Sequence, residues 1–427
     1  MKIGKFLKNI IPKTLKERIK TEVLYLQNRK FLLETKRHYK KVLDDVRRKE
    51  KYSFGAYVVF DSTFGAYELV DLLKKDTRFS VKIVIIPDVS RGKNHMKHQY
   101  LETKNFFINK YGKDLILDGY NLETDDFIDN SKQFDFIYLA NPYDSMVNEV
   151  HGIKYLSRCN LLPLHINYCF QPDIYSNLNI MRTLEISLFW KVFADTKYTF
   201  DDYKIYEMLK GKNVILSGYA KMDNYFIYSD KKNTNLRKKI IIAPHHSVTY
   251  DLLPLSNFLK YSDFFLSLPE RYPNVDFIFR PHPLLFTTLV NNKLWTQQQV
   301  DNYLETMNQK GVVYSYGGDY FSIFAESDAI IHDCSSYIVE YLFTNKPCCF
   351  MAKKDNNKYL NRLGKSSLRF YRKAFSENEI CLFIDDVLSN KIECSKSQYK
   401  FLKSKIAINY PNVSKFILQY IGNSING

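Results

Sequence analysis

From Gly55 onward short apolar runs alternate with amphipathic stretches, the pattern of strands feeding helices. Ala56–Asp61 (AYVVFD) predicts a strand, and Ala66–Lys75 a helix that ends on charged residues. Val81–Asp88 (VKIVIIPD) predicts a buried strand closed by Pro87; Phe134–Ala140, Leu161–Asn167 and Asn213–Gly218 predict three more. Continuous apolar runs at this spacing argue a mostly parallel sheet. A charged stretch, Ser229–Lys239, reads as the connection to a second series: KIIIAP, VDFIFRP, VVYSYG, AIIHDC and PCCFMA between Lys239 and Ala352. Helical patterns at Leu253–Glu270, Trp295–Gln309, Tyr320–Ser327 and Tyr337–Thr344 separate these strands. The tail after Ser376 reads as helices, the last being amphipathic over Val413–Ile421. The expected organisation is an arm at 1–51, a first α/β domain at 52–230, a second at 231–400, and C-terminal helices at 401–427 that return toward the first domain.

The length of 427 residues exceeds one ordinary core and agrees with two domains. No apolar run reaches the roughly 18–20 residues that span a bilayer. Ile10-Ile11 is followed at once by Pro12, Lys13 and Lys16, unlike a cleaved signal, so a cytoplasmic protein is expected. Seven scattered cysteines without CxxC spacing agree and give no zinc pattern. The net charge of +16 is concentrated: residues 1–51 hold 17 Lys/Arg against 6 Asp/Glu, a net +11. Ile3, Phe6, Leu7, Ile10 and Ile11 share a helical face there, and Leu15, Ile19 and Val23 repeat every four residues among lysines. A basic amphipathic helix of this kind suits an anionic membrane surface; a helix packed on its own domain is the competing reading. Nucleic acid is not expected as partner, because no recognised nucleic-acid module follows the arm.

Candidate chemistry gathers at strand ends in the second half. In Ile330–Phe350 a strand ends at Asp333, Ser335 and Ser336 follow, and a helix pattern begins, with Glu340 one turn in. Free N–H groups and hydroxyls at such a point suit a phosphate, and Glu340 could accept from a ribose. Arg280 offers a planar fork of donors to phosphate oxygens, with His282 beside it in RPHP and prolines restricting both. His245 and His246 end the preceding strand in APHHS. Doubly wound sheets bind ligands outside the carboxyl ends of their strands, and all these residues map there. No Asp-x-Asp follows a strand, and the acidic pairs read as solvated, so no metal ligand is assigned.

Four motifs in order, GYAKMD (Gly218–Asp223), APHHS (Ala243–Ser247), RPHP (Arg280–Pro283) and SDAIIHDCSSYIVEYLFTNKP (Ser327–Pro347), resemble the CDP-glycerol:poly(glycerophosphate) glycerophosphotransferase family of teichoic-acid and capsule polymerases. The resemblance covers roughly Leu161–Ala352. Ala220 and Lys221 stand where that family usually has proline and arginine, and Leu164-His165-Ile166 replaces a Trp-His-Gly strand end. It implies a GT-B fold, α/β, with two Rossmann-like domains facing across a cleft. It also implies CDP-glycerol or a related nucleotide as donor, a lipid-linked glycerophosphate or glycan acceptor, and no metal cofactor. In that reading His165 is the general base, with His151 as rival. His282 is the second catalytic residue, at the diphosphate; His245, His246, Arg280, Asp333, Ser335, Ser336 and Glu340 hold the donor, and the protein works on the inner face of the cell membrane. A GT-B glycosyltransferase or CDP-ribitol transferase in capsule or lipopolysaccharide synthesis is the first alternative. A non-catalytic basic membrane- or nucleic-acid-binding protein is the alternative of another class.

Overall fold

The computed structural model describes residues 12–230, 236–317, 320–392 and 395–427. Two compact units emerge: one holds the residues up to Cys169, Asn177–Asp223 and Ile406–Gly427, the other Phe170–Ser176 and Asn224–Lys405.

The first unit is built on seven parallel strands: β1 (Tyr52–Val58), β2 (Phe79–Ile85), β3 (Ile116–Asp118), β4 (Phe136–Leu139), β5 (Leu162–Ile166), β6 (Lys191–Ala194) and β7 (Val214–Leu216). Their order is β3-β2-β1-β4-β5-β6-β7. β1 is Val/Tyr/Phe-rich and almost wholly buried, as a strand covered by helices on both faces must be. β3 and β6 were not anticipated; strands of three and four residues carry too few apolar positions to stand out. The last helix, Val413–Asn426, places Val413, Ile417, Ile421 and Ile425 in this core. Its first N–H groups, which have no partner within the helix, are capped from a distance: Asp223 accepts from Val413 N (3.0 Å) and Ser414 N (2.7 Å). The end of the GYAKMD motif is therefore a structural fastener. Gly218 in the same motif adopts φ +96°, and an added Cβ would lie 2.4 Å from Ile408 O.

The basic arm gives a mixed outcome. Residues 1–11 lie outside the described part, so the stripe from Ile3 to Ile11 cannot be placed. Lys13–Val46 is one helix of 34 residues. It packs on its own unit through Leu32, Tyr39, Val42 and Val46, all buried. Tyr39 also donates to Leu188 O (2.5 Å). The Leu15, Ile19 and Val23 stripe faces the other way and is exposed, with Leu26 continuing it. Among the described residues no helix is long and apolar enough to cross a membrane.

The second unit carries six parallel strands: β8 (Lys238–Ala243), β9 (Val275–Phe279), β10 (Val313–Tyr314), β11 (Ala329–His332), β12 (Cys348–Met351) and β13 (Arg372–Ala374). Their order is β10-β9-β8-β11-β12-β13. The first strand, β8, is central, and the chain winds outward first through β9 and then through β11. This reversal between β8 and β11 creates a topological switch point, where loops splay apart and leave a crevice. The five expected strands are all present; β13, a three-residue edge strand with two exposed positions, was missed.

Candidate functional site

The carboxyl ends of β8, β9 and β11 converge at that switch point. Ladder-like bonds continue past the strands, with Arg280 N donating to Ile242 O (2.8 Å) and His282 N to Pro244 O (2.9 Å). The two His-bearing loops consequently run side by side. The rings of His245, His246 and His282 form one cluster, with centroids 4.3 Å, 5.1 Å and 4.0 Å apart. Burial and the neighbouring histidines hold His245 well below the usual imidazole range, and burial with His246 does the same to His282. Both are neutral at pH 7.

Three imidazoles this close could hold a cation, but their hydrogen bonds favour another ligand. His282 Nδ1 accepts from Leu284 N (3.1 Å), which leaves the proton on Nε2. His245 Nδ1 accepts from Ser247 N (3.3 Å) and pairs with Ser247 Oγ (2.7 Å), whose own lone pair takes Leu255 N (3.1 Å). Both rings therefore present an Nε2–H donor, which suits an anion's oxygen.

Asp333 organises this ensemble from beneath. It is fully buried at the end of β11, and accepts from His245 N (2.6 Å), Asn257 N (2.6 Å) and Asn257 Nδ2 (3.3 Å). Burial pushes its carboxyl up to about 7, although the three N–H donors and Lys353 pull the other way. It touches backbone on the His loop and faces no open space, so its role is positioning. Ser335, Ser336 and Tyr337 are half-buried. The helix expected beyond them is a single α turn, Tyr337–Glu340, followed by a 3-10 turn, Tyr341–Thr344, that ends on left-handed Asn345. So short a helix has little macrodipole, and the hydroxyls are the main asset of this turn.

Several expected roles change. Arg280 is nearly buried; two guanidinium nitrogens donate to Ser315 Oγ (2.7 Å) and Gly317 O (2.9 Å), and its plane lies 4.9 Å from the Tyr320 ring centre. Its fork braces the loop after β10, and the same side chain reaches Tyr337 beside the serine turn. Glu340 is buried and accepts from Tyr320 OH (2.7 Å), which removes it as a ribose acceptor. Arg280, Tyr320 and Glu340 form one strut. His165 lies wholly inside the first unit's sheet, with Nδ1 against Leu139 O (2.8 Å) and its ring 5.1 Å from Phe189. Burial pushes its pKa down to about 4. A general base must reach a substrate hydroxyl, and this enclosure withholds His165 from one. The rival, His151, is equally enclosed, with Nε2 3.0 Å from Ile128 O.

Two features escaped the sequence reading. Asp195 is fully buried at the end of β6, where burial raises it to about 6, and Asn167 lies between it and His165 as a hydrogen-bond partner of both. Its signal was hidden because β6 itself went unrecognised. A pocket of about 520 Å³ opens past the ends of β12 and β13, lined by Asn257, Lys260, Lys353, Lys354 and Phe375 among others. Lys260 is far from Lys353-Lys354 in sequence, and only the sheet order brings them together.

Residues 200–366 match the model of the family described as CDP-Glycerol:Poly(glycerophosphate) glycerophosphotransferase. That span contains all four motifs and the whole histidine cluster. The match bears out the recognition made from the motifs and the enzyme class it implied. No curated protein matches the chain. Among solved structures, the wall teichoic acid polymerase TagF, in a variant soaked with CDPG, is similar at TM-score 0.54 and 11% identity, over 97% of this chain and 98% of that one. S. aureus MnaA in a co-structure with UDP gives 0.53 at 12% identity, over 88% and 97%. The UDP-GlcNAc 2-epimerase of Methanocaldococcus jannaschii, with UDP-GlcNAc and UDP, gives 0.53 at 12%, over 87% and 99%. At these identities the likeness is one of fold, and it bears out two Rossmann-like domains of the GT-B type.

Proposed function

We propose that this chain, which carries the glycerophosphotransferase family's pattern over residues 200–366, transfers glycerol phosphate from CDP-glycerol to a hydroxyl of a lipid-linked glycerophosphate or glycan acceptor. The observation that carries the reading is the convergence of the APHHS and RPHP loops and the DCSS turn at one switch point. There two neutral imidazoles offer N–H donors beside two half-buried serines. TagF, which shares the fold, has been soaked with CDPG. The product would be a polymer of the teichoic-acid or capsule type.

In this mechanism the acceptor hydroxyl attacks the β-phosphorus of the donor. The new P–O bond forms as the bond to the bridging oxygen breaks, and the electron pair leaves with CMP. Phosphoryl transfer asks little covalent help; positioning and charge stabilisation carry it. The Nε2–H groups of His245 and His282 stabilise charge on the departing phosphate, and Ser336 adds a hydroxyl. Asp333 fixes the His245 backbone, while Arg280 and Glu340 brace the adjoining loop through Tyr320. Donation by neutral imidazoles supports transfer without a metal. A screen of CDP-glycerol, CDP-ribitol and sugar nucleotides for nucleotide release, with and without chelator, tests this reading. CMP from CDP-glycerol in chelator is expected; UDP alone, from a UDP-sugar, would favour a glycosyltransferase.

The membrane assignment is part of the same proposal. An exposed stripe of Leu15, Ile19, Val23 and Leu26 on a basic helix supports docking to an anionic bilayer on the cytoplasmic side, where a lipid-linked acceptor would be met.

A further inference from the structure

One short segment crosses from its sequence neighbours into the other unit. Phe170–Ser176 packs in the second unit, although residues on both sides of it belong to the first. The grip on it is unusually complete. Asn361 takes three consecutive carbonyls: its Nδ2 donates to Gln171 O (2.7 Å) and Asp173 O (3.1 Å), and its backbone N to Pro172 O (3.1 Å). One helical turn on, Gly364 lies so close that an added Cβ would sit 2.2 Å from Pro172 O. That contact is with backbone, which cannot swing aside. Phe170 is buried and stacks on Phe343, with ring centres 6.1 Å apart.

What this strap delivers is Asp173. The residue is 4% exposed, and its Oδ1 accepts from Ser176 N and Ser176 Oγ, both at 2.8 Å. The Ser335 side chain lies beside this carboxylate and helps to hold its proton affinity down against burial. Two residues on, the Tyr175 ring meets that of Tyr250, 5.8 Å away, in the loop that follows His246. The strap therefore touches the serine turn and the continuation of the His loop, two parts of the donor site. Asp333 ties the start of that turn to His245 from one side, and Asp173 holds Ser335 from the other.

We propose that the strap is a positioning element of the donor site, in which Asp173 anchors Ser335, and with it the turn that carries Ser336, while Asn361 with Gly364 fixes Asp173. This rests on the donor reading given above. The serine turn is then set before the nucleotide arrives, and the ordering cost is met during folding and not on binding. Because the contact exists in the ground state, its loss should weaken donor binding more than it slows chemistry.

The test uses the full chain with CDP-glycerol, measuring CMP release and calorimetric affinity. Asp173→Ala should raise KM and Kd by about tenfold while kcat changes less than about threefold. Asp173→Asn keeps an acceptor oxygen for Ser335 and should recover most of the affinity. Ser335→Ala should add little to Asp173→Ala, since both remove one interaction. Gly364→Ala, which touches no ligand, should raise KM in the same direction by displacing the strap. Independent, multiplying effects of Asp173→Ala and Ser335→Ala would overturn the proposal. So would an Asp173→Ala protein of lowered melting temperature with unchanged KM. Failure of the wild-type chain to bind or process CDP-glycerol would overturn the donor reading itself, an outcome separate from either of these.

Discussion

Replacing Asp333 by Asn or Ala probes the part of the site that the structure defines most sharply. Its carboxylate is fully buried and serves His245 N, Asn257 N and Asn257 Nδ2. Asn257 Nδ2 keeps other partners, Leu255 O (3.1 Å) and Met351 O (3.0 Å), so Asp333→Ala strands two backbone donors. Each stranded buried group costs about 1–3 kcal/mol, giving about 2–6 kcal/mol in all. The charge adds a pH dependence of definite sign. The folded pKa is raised from 3.8 to about 7, so the native state binds more protons than the unfolded state between those values. Stability therefore falls as pH rises from about 4 to about 7 and is level above that. Between pH 5 and pH 8 this one group removes about 3 kcal/mol, at about 1.4 kcal/mol per pH unit below pH 7. Asp333→Asn carries no such charge. Urea melts of both proteins at pH 5 and pH 8 should show the variant about 3 kcal/mol more favourable, relative to wild type, at the higher pH. Contributions of other carboxyls, Asp195 among them, cancel in that difference. A difference constant within about 0.5 kcal/mol would refute the reasoning, as would an Asp333→Ala protein as stable as wild type at pH 5.

Further expectations concern the residues whose roles changed. His165→Ala should lower stability, because the side chain is fully buried, while the folded fraction keeps kcat within about threefold; a loss of about 10²-fold or more at unchanged stability would restore it as the base. Arg280→Lys should lose the bonds to Ser315 and Gly317 and cost about 1–3 kcal/mol of stability in urea melts. An intact fold with donor affinity down a hundredfold would instead mark Arg280 as a phosphate ligand. Changing Leu15, Ile19 and Val23 to Ser alters only exposed positions and should leave stability within about 0.5 kcal/mol per site. Sedimentation with anionic vesicles should drop for that triple variant, and equal sedimentation would remove the stripe as the anchor.

The sequence was informative where one residue pattern had one structural outcome. Long apolar runs such as Lys238–Ala243 had to be buried strands, and a His or Ser directly after such a run had to sit at the ligand edge of a parallel sheet. The histidine cluster follows from β8 and β9 being neighbours in the sheet, with both of their carboxyl ends carrying histidine loops. Less was legible where a side chain had a choice of partners. Arg280 reads the same whether it faces a phosphate or a carbonyl two loops away, and Glu340 the same whether it meets a ribose or a tyrosine. His165 was assigned through the resemblance at a strand end, and its enclosure within β5 is not visible in the residues around it. Asp173 was invisible as a site residue because its value comes from Asn361 and Gly364, almost two hundred positions on.

The central claim is that the second unit's switch point binds a nucleotide diphosphate donor through neutral histidine donors and transfers its phosphoryl group to a hydroxyl. The most direct measurement is release of CMP from CDP-glycerol by the full-length wild-type chain, in excess chelator, beside His282→Ala. Acceptor-dependent CMP release that survives chelation is expected, together with a His282→Ala protein that folds normally but loses donor affinity as well as rate. Strict dependence of CMP release on added divalent metal, or full activity in His282→Ala, would contradict it.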